Sequence, residues 1–588
     1  MNWLRGLLRN RTLAAGIACA ACLQLSSGAI AADLAQAAPA AKPAPRQPDL
    51  PAIDLSEELM YRLMVVEIAV QRGQTGEAVA EYLKLARETR DPRIAQRTTE
   101  LAWNARMLPQ ALEAASLWLA VDPASPQARQ VVASLLINQE RVIDAQPHLE
   151  QWLASGKANI AQNFIQLTGL LARHKDKAAV VQLIQALARP YGNIPEVRLA
   201  VAQSAWAADN AELTLAESRA ALKINPDFEL AALVHAQALQ RRSATEAAAF
   251  LREYLAANPK ANDARLNYAR ILVQDQRFPE ARQQFEQLLA SNPKNPDMAL
   301  SVALLASQAR DFDAAETNLQ AALANNHRDP DLIRMHLGQA NEDRSRHDQA
   351  LKWYGEITHG THFIAAQARY AGVLAKQGKL AEGRTHLQKL QPADNTQRQQ
   401  LIQAEGNLLR EASEFQEAFD LLGKALAQSP DSIDLLYDQA MISEKINRVD
   451  VLETNLRRVI KLQPDHAHAY NALGYTFADR NERLDEARKL IETALKYAPN
   501  DAYIIDSMGW VLFRLGQTKA AVEQLRRAYS MRPDAEVGAH LGEVLWVDGQ
   551  RDEARKVWGD MLKDHPKNDV LQNTIKRLAP NLIPSAAR

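Results

Sequence analysis

Cysteine is almost missing. The 588 residues contain two, Cys19 and Cys22, both within the first 25 positions. The rest of the chain therefore has no disulfide, no thiolate metal site and no cysteine nucleophile. Aromatic residues are sparse at 6%, although hydrophobic residues reach 47%. Ala, Leu, Gln, Glu and Arg dominate instead, all strong helix formers, and β-branched runs at strand spacing are scarce. An excess of one charge is also lacking: 69 Lys and Arg stand against 70 Asp and Glu, a net charge of −1. A protein that lives by neutralising phosphates would carry a basic stripe, so no nucleic acid partner is expected. No glycine-rich phosphate loop or nucleophile elbow occurs, and the carboxylates are spread as on solvated helix faces. The chain is too long for one compact core, which makes internal repetition the next question.

The first residues carry an address. Arg5, Arg9 and Arg11 precede a mainly apolar stretch from Thr12 to Leu25, and Ala29-Ile30-Ala31 supplies small side chains at both recognised positions. This order marks residues 1–31 as a secretory signal cleaved after Ala31, with the periplasm as destination. The apolar stretch is too short to span a bilayer as a stable helix. The alternative is a lipid on Cys19 or Cys22, which would attach the protein to the outer membrane. Gly16-Ile17-Ala18 and Cys19-Ala20-Ala21 precede the two cysteines, and neither offers the leucine three residues upstream that such a signal uses. Residues 32–54 are rich in Ala and Pro. Prolines 39, 43, 45, 48 and 51 deny them a continuous helix and make them a linker.

From about residue 55 the sequence repeats. A small residue follows Glu, Asp or another polar residue, an apolar residue comes four later, a small or apolar one seven later, and often Pro twelve later. Glu280-Ala281 with Phe285, Leu288 and Pro293 is a clear copy, and Glu486-Ala487 with Ile491, Ala494 and Pro499 is another. The rungs are Ala78, Ala111, Ala145, Ala179, Thr214, Ala247, Ala281, Ala315, Ala350, Gly383, Ala418, Leu452, Ala487, Ala521 and Ala554. Fourteen successive gaps lie between 33 and 35 residues. A small residue lets two helices approach, and the positions four and seven later share its face. The proline ends the unit. A second small position recurs about twelve residues before the rung, as Gly338, Gly406, Gly474, Gly509 and Gly542, or as Ala269, Ala371 and Ala440. Thr214, Gly383 and Leu452 break the alanine pattern, and looser packing is expected there.

The ladder, with its Leu-Gly and Pro positions, resembles the tetratricopeptide-repeat (TPR) family across about residues 55–578. The expected fold is all-α: a TPR α-α superhelix, or solenoid, of about 15 helix pairs, closed by a capping helix near residues 569–578. The fit is sharpest over 465–566, intermediate over 246–464 and degenerate over 55–245, with 567–588 as cap and tail. The stretches NALGYTFADRNERLDEARKLIETALKYAPND, IIDSMGWVLFRLGQTKAAVEQLRRAY and AHLGEVLWVDGQRDEARKVW are similar to the C-terminal region of large exported proteobacterial TPR proteins. The best understood type is a lipoprotein adaptor of a periplasmic carboxyl-terminal processing protease, which presents cell-wall hydrolases for degradation. The resemblance implies a scaffold that binds proteins, not an enzyme. The alternative is a component of an envelope export machine for polysaccharide or pili.

The concave wall of such a solenoid is built from the first helix of each pair. In the last three pairs it would present Asn471, Tyr475, Tyr503, Asp506, Trp510, Phe513, Arg514, Glu543 and Trp546. Aromatics with polar tips give large contact area at low entropy cost, and the charged residues would orient a bound peptide. Earlier units offer Trp103, Phe164 and Trp206 at similar offsets. The Lys and Asn clamp for a terminal carboxylate, as in co-chaperone TPR domains, does not occur. His359 with His362, and His466 with His468, fall at turns or helix starts without the Glu that a zinc-protease helix needs, so no metal or cofactor is expected. No stretch of about 100 residues is left over for a catalytic domain.

Overall fold

A computed structural model describes residues 55–155 and 159–582. The expected signal with Ala31, the cysteines Cys19 and Cys22, and the whole 32–54 linker lie outside the described residues. Within them the chain forms thirty-one α-helices and no strand. Fifteen pairs follow one another from Glu57–Gln71 with Thr75–Thr89 to Ala535–Val547 with Arg551–Asp564, and Asp569–Leu578 follows the last. No described helix is long and apolar enough to cross a membrane.

Local sequence explains why the helices start and stop where they do. Asp311, Asp329, Asp394, Asp501 and Asp534 each cap a first or second helix by accepting a backbone N–H with the carboxylate. Inside the pairs the turn passes through a left-handed residue, as at Gln276, Arg310, Asn447, Gly516 and Gly549, with two, Asn481 and Arg483, in one turn. The next N–H then reaches back five residues. Gln517 N–H donates to the Leu512 carbonyl at 2.9 Å, and Glu482 N–H donates to that of Phe477 at 2.9 Å. Free carbonyls at the end of the first helix are satisfied in this way, and the second helix folds back antiparallel.

The rungs sit where the helices of a pair meet. Each occupies the first turn of its second helix, except Ala145, which ends the short 3-10 turn just before one. All are buried but Ala179, which is half-buried. There the helix Lys177–Ala188 starts one residue later relative to its rung, and Val180 takes the buried place. The degenerate rungs are not loose. Thr214 is fully buried and donates its hydroxyl to the Asn210 carbonyl at 2.8 Å. Leu452 is fully buried. At Gly383 a side chain would collide with the Ala371 carbonyl, so the glycine marks closer contact, not slack.

The chain divides into two compact units between Ala264 and Arg265, inside the helix Asn262–Gln274. In the first unit one apolar cluster runs from Val66 through Leu85, Leu135 and Leu183 to Val201. Its first helix, Glu57–Gln71, turns Leu59, Leu63 and Val66 inward and leaves Tyr61 and Met64 exposed. In the second unit the small position of the first helix is a socket for the residue four after the rung. Gly338 receives Tyr354 and Gly542 receives Trp558, and both aromatics are fully buried. A methyl group at either glycine would overlap the ring. The last helix buries Leu571, Thr574 and Ile575 against the final pair and keeps Asn573, Lys576 and Arg577 exposed. A polar outer face is what the end of a stacked array requires.

Candidate protein-binding face

Within the second unit the first helices Ala467–Asp479, Ala502–Arg514 and Ala535–Val547 pack on one another from pair to pair, and Asp569–Leu578 packs on the last of them. Their partner helices contact mainly their own and the next first helix. Elements packed closest along a stack lie on its inner side, so the first helices form the inner face.

Residues one repeat apart meet on this face. Asp506 and His540 are 34 positions apart, and the Asp506 Oδ2 lies 2.9 Å from His540 Nδ1. The imidazole stacks on Trp510, with ring centres 4.3 Å apart and planes 24° from parallel. Tyr475, from the preceding first helix, brings its hydroxyl to 3.5 Å from His540 Nε2. Phe513 lies 5.5 Å from the Trp510 ring, and the Arg514 guanidinium sits 4.9 Å over it. Arg514 also donates to the Asp479 carbonyl at 2.8 Å, again across one repeat. Burial opposes the His540 imidazolium, but the Asp506 carboxylate, with Glu536 and Asp479 nearby, outweighs it, and the histidine is held above its ordinary value. Burial, followed by the charges of Asp479, Asp506, Glu536 and Glu444, pushes the Tyr475 phenol up.

Five of the nine residues expected in the groove therefore form one connected group: Tyr475, Asp506, Trp510, Phe513 and Arg514. Asn471 lies on the same helix as Tyr475 and is half-buried. Asp506 and Trp510 are set into the wall, at 6% and 4% exposure, because His540 of the next repeat fills the space beside them. The other three stand apart. Tyr503 is exposed, and Arg532 covers its ring at 4.7 Å. Trp546 packs against Trp558 at 5.7 Å, flanked by Arg551 and Arg555. Glu543 is buried and accepts from Arg577 of the last helix at 2.6 Å, which ties the cap to the final pair. Sequence reasoning passed over His540, Glu444, Asp479 and Glu536. The spacing of Asp506 to His540, one repeat length, was the available signal.

Several polar atoms of the group have no partner. Asn471 Oδ1, Asp506 Oδ1, Trp510 Nε1 and Arg514 Nε are enclosed and make no hydrogen bond. Such atoms are costly unless something supplies the missing bond. The histidines set aside earlier have local tasks. His362 Nε2 lies 3.1 Å from Asp329 Oδ2, and His466 accepts the Ala469 N–H as a helix cap at 3.1 Å. Among the described residues no group of three or more His, Cys, Asp or Glu side chains is gathered as a metal would need. Earlier first helices offer less on this pattern. Phe164 is fully buried, Trp206 lies under Arg241 at 4.0 Å, and Trp103 is exposed.

Comparison with known proteins agrees with this architecture. Profiles of the tetratricopeptide repeat match residues 238–307, 302–358, 453–502 and 507–569. A TPR repeat-containing protein of Pseudomonas aeruginosa is 36% identical over 528 residues, which cover 89% of this chain and 88% of the relative. Among solved structures, a thermophilic TPR protein of Thermus thermophilus is 23% identical over 30% of this chain and 95% of its own, with a TM-score of 0.28. MamA of Desulfovibrio magneticus is 18% identical over 29% of this chain and 96% of its own, with a TM-score of 0.25.

Proposed function

The chain belongs to the tetratricopeptide-repeat family, and from that premise we propose that it is an exported, non-catalytic scaffold holding partner proteins against the inner face of its last repeats. The observation that carries this reading is the group of Tyr475, Asp506, Trp510 and His540, with its unpaired polar atoms. Buried polar groups ordinarily find partners within the fold, and this group leaves four such atoms close together without one. Aromatic rings beside enclosed polar groups are the pattern of binding hot spots. The finer reading is an adaptor in the periplasm that binds a carboxyl-terminal processing protease and brings cell-wall hydrolases to it. It rests on the signal-like start and on the similarity of residues 465–566 to exported adaptors.

The test uses the mature full chain mixed with a carboxyl-terminal processing protease and a cell-wall hydrolase from the same cells. The expected result is a complex that survives gel filtration, together with faster loss of the hydrolase than with the protease alone. No complex and no acceleration would remove the adaptor reading. A complex with polysaccharide-synthase or pilus components in its place would move the scaffold to an export machine.

A further inference from the structure

Three carboxylates surround the group just described. Glu444, Asp479 and Glu536 are exposed and make no ion pair among the described residues. They come from three different first helices, Ile433–Lys445, Ala467–Asp479 and Ala535–Val547. Each nevertheless acts on the same neighbours. Desolvation by the surrounding face lifts the Glu444 carboxyl above its ordinary value, the Lys445 charge opposes this and those of Asp479 and Glu536 add to it, and all three carboxylates act on the Tyr475 phenol. Glu444 and Asp479 also occupy the last turn of their helices, where the helix dipole disfavours negative charge. Neither helix stability nor a local ion pair accounts for acids at these places.

An independent observation points to what the carboxylates receive. Asp506 is more than nine-tenths buried, and one of its oxygens is bound by His540 beside Tyr475, while the other has no donor. Asn471 Oδ1, on the adjacent first helix, also lacks a donor. Both atoms accept only, so the missing partner must bring hydrogen-bond donors there, as the N–H groups of Lys or Arg do. The one guanidinium in the group, Arg514, already lies over Trp510 and on the Asp479 carbonyl.

Resting on the scaffold reading above, we propose that this face takes a cationic segment of a partner chain. Its Lys or Arg side chains enter among Glu444, Asp479 and Glu536 and reach the free oxygens of Asp506 and Asn471. An acidic or phosphorylated segment meets like charge there, and an uncharged one leaves the carboxylates unused. Complementary charge of this kind sets partner choice and association rate more than bare affinity.

The probe is a fluorescein-labelled peptide of Lys-Ala-Ala repeats, with its Glu-Ala-Ala counterpart, titrated by anisotropy against the mature full chain. The basic peptide is expected to bind with Kd in the range of about 10–100 μM. The triple variant Glu444→Gln, Asp479→Asn, Glu536→Gln should weaken it about tenfold, and added salt should weaken it further. The three positions are exposed, so the variant should keep the helix content and melting curve of the parent. Replacing all three by Lys should turn the preference to the acidic peptide. Equal binding of the two peptides overturns the proposal, as does unchanged binding by the triple variant, or no binding of the basic peptide at about 1 mM. A protease complex that forms undiminished with the triple variant also overturns it, while leaving the scaffold reading in place. Absence of any complex with the unaltered protein would instead defeat the scaffold reading.

Discussion

In the pair Ala535–Val547 with Arg551–Asp564, Gly542 admits the Trp558 ring. In the helix Glu229–Arg242 of the first unit, the equivalent small position holds His235, and the residue four after the preceding rung is Ser218. Ser218 Oγ lies 2.8 Å from His235 Nδ1, both side chains are buried, and Phe250 lies 4.6 Å from the imidazole. In the second unit a ring in a glycine socket closes a contact within one pair, and here in the first a hydroxyl on a histidine closes one between successive pairs. The first solution is a matter of volume and has one good filling. The second depends on a hydrogen bond and on the protonation state. The same rung spacing thus accommodates both kinds of helix contact.

The largest expected effect is at the socket. Trp558→Ala should cost about 3–5 kcal/mol as a cavity opens beneath Gly542. Amide exchange in Ala535–Val547 should rise far more than exchange in the first unit, and a uniform rise would erase the contrast. Filling the socket is the next step. Gly542→Ala should cost about 1–3 kcal/mol by overpacking. Gly169→Ala, in the first-unit helix Ile160–Leu171 with open space around it, should instead gain up to about 1 kcal/mol of helix propensity. Thermal melting of the two variants should move in opposite directions, and a shared direction would mean that the glycines are equivalent.

Smaller effects probe the polar contact. Ser218→Ala removes the hydroxyl from the buried His235 Nδ1 and should cost about 1 kcal/mol, read as faster exchange in Glu229–Arg242. Mild acid should act on the same helix. Burial, then the charge of Arg219, lowers the His235 pKa to about 4. The unfolded chain takes up its proton near pH 6.5, so this contribution is complete above that value and is lost as pH falls toward 4. At pH 6 the loss is below about 1 kcal/mol. His540 has the opposite sign. Its raised pKa gives a contribution that is complete below pH 6.5 and is lost as pH rises through the folded value. Exchange between pH 7 and 5 should therefore rise around His235 and not around His540.

The helix pairs were legible in the sequence because the rung spacing records a backbone length, which any side chain of suitable size preserves. Tightness was not legible. Thr214, Leu452 and Gly383 look like lapses in an alanine ladder, yet each is buried in a close contact made by its own means. The site was legible in part. The type of each residue pointed to binding, but its setting depends on a partner one repeat away. Asp506 with His540, Glu543 with Arg577, and Glu342 with Lys376 are all joined at an offset of 34. A search within single repeats cannot see such pairs. For that reason Asp506, Trp510 and Glu543 read as open groove residues although a neighbouring repeat encloses each of them.

The most direct measurement places a photo-crosslinking amino acid at Asp479 or at Trp103, two exposed positions in the same register of different repeats. Each full-length protein is irradiated in cells. Partner adducts concentrated at position 479, and few at 103, are the expected result. Adducts of equal yield at both positions, or at 103 alone, would contradict a binding face in the last repeats.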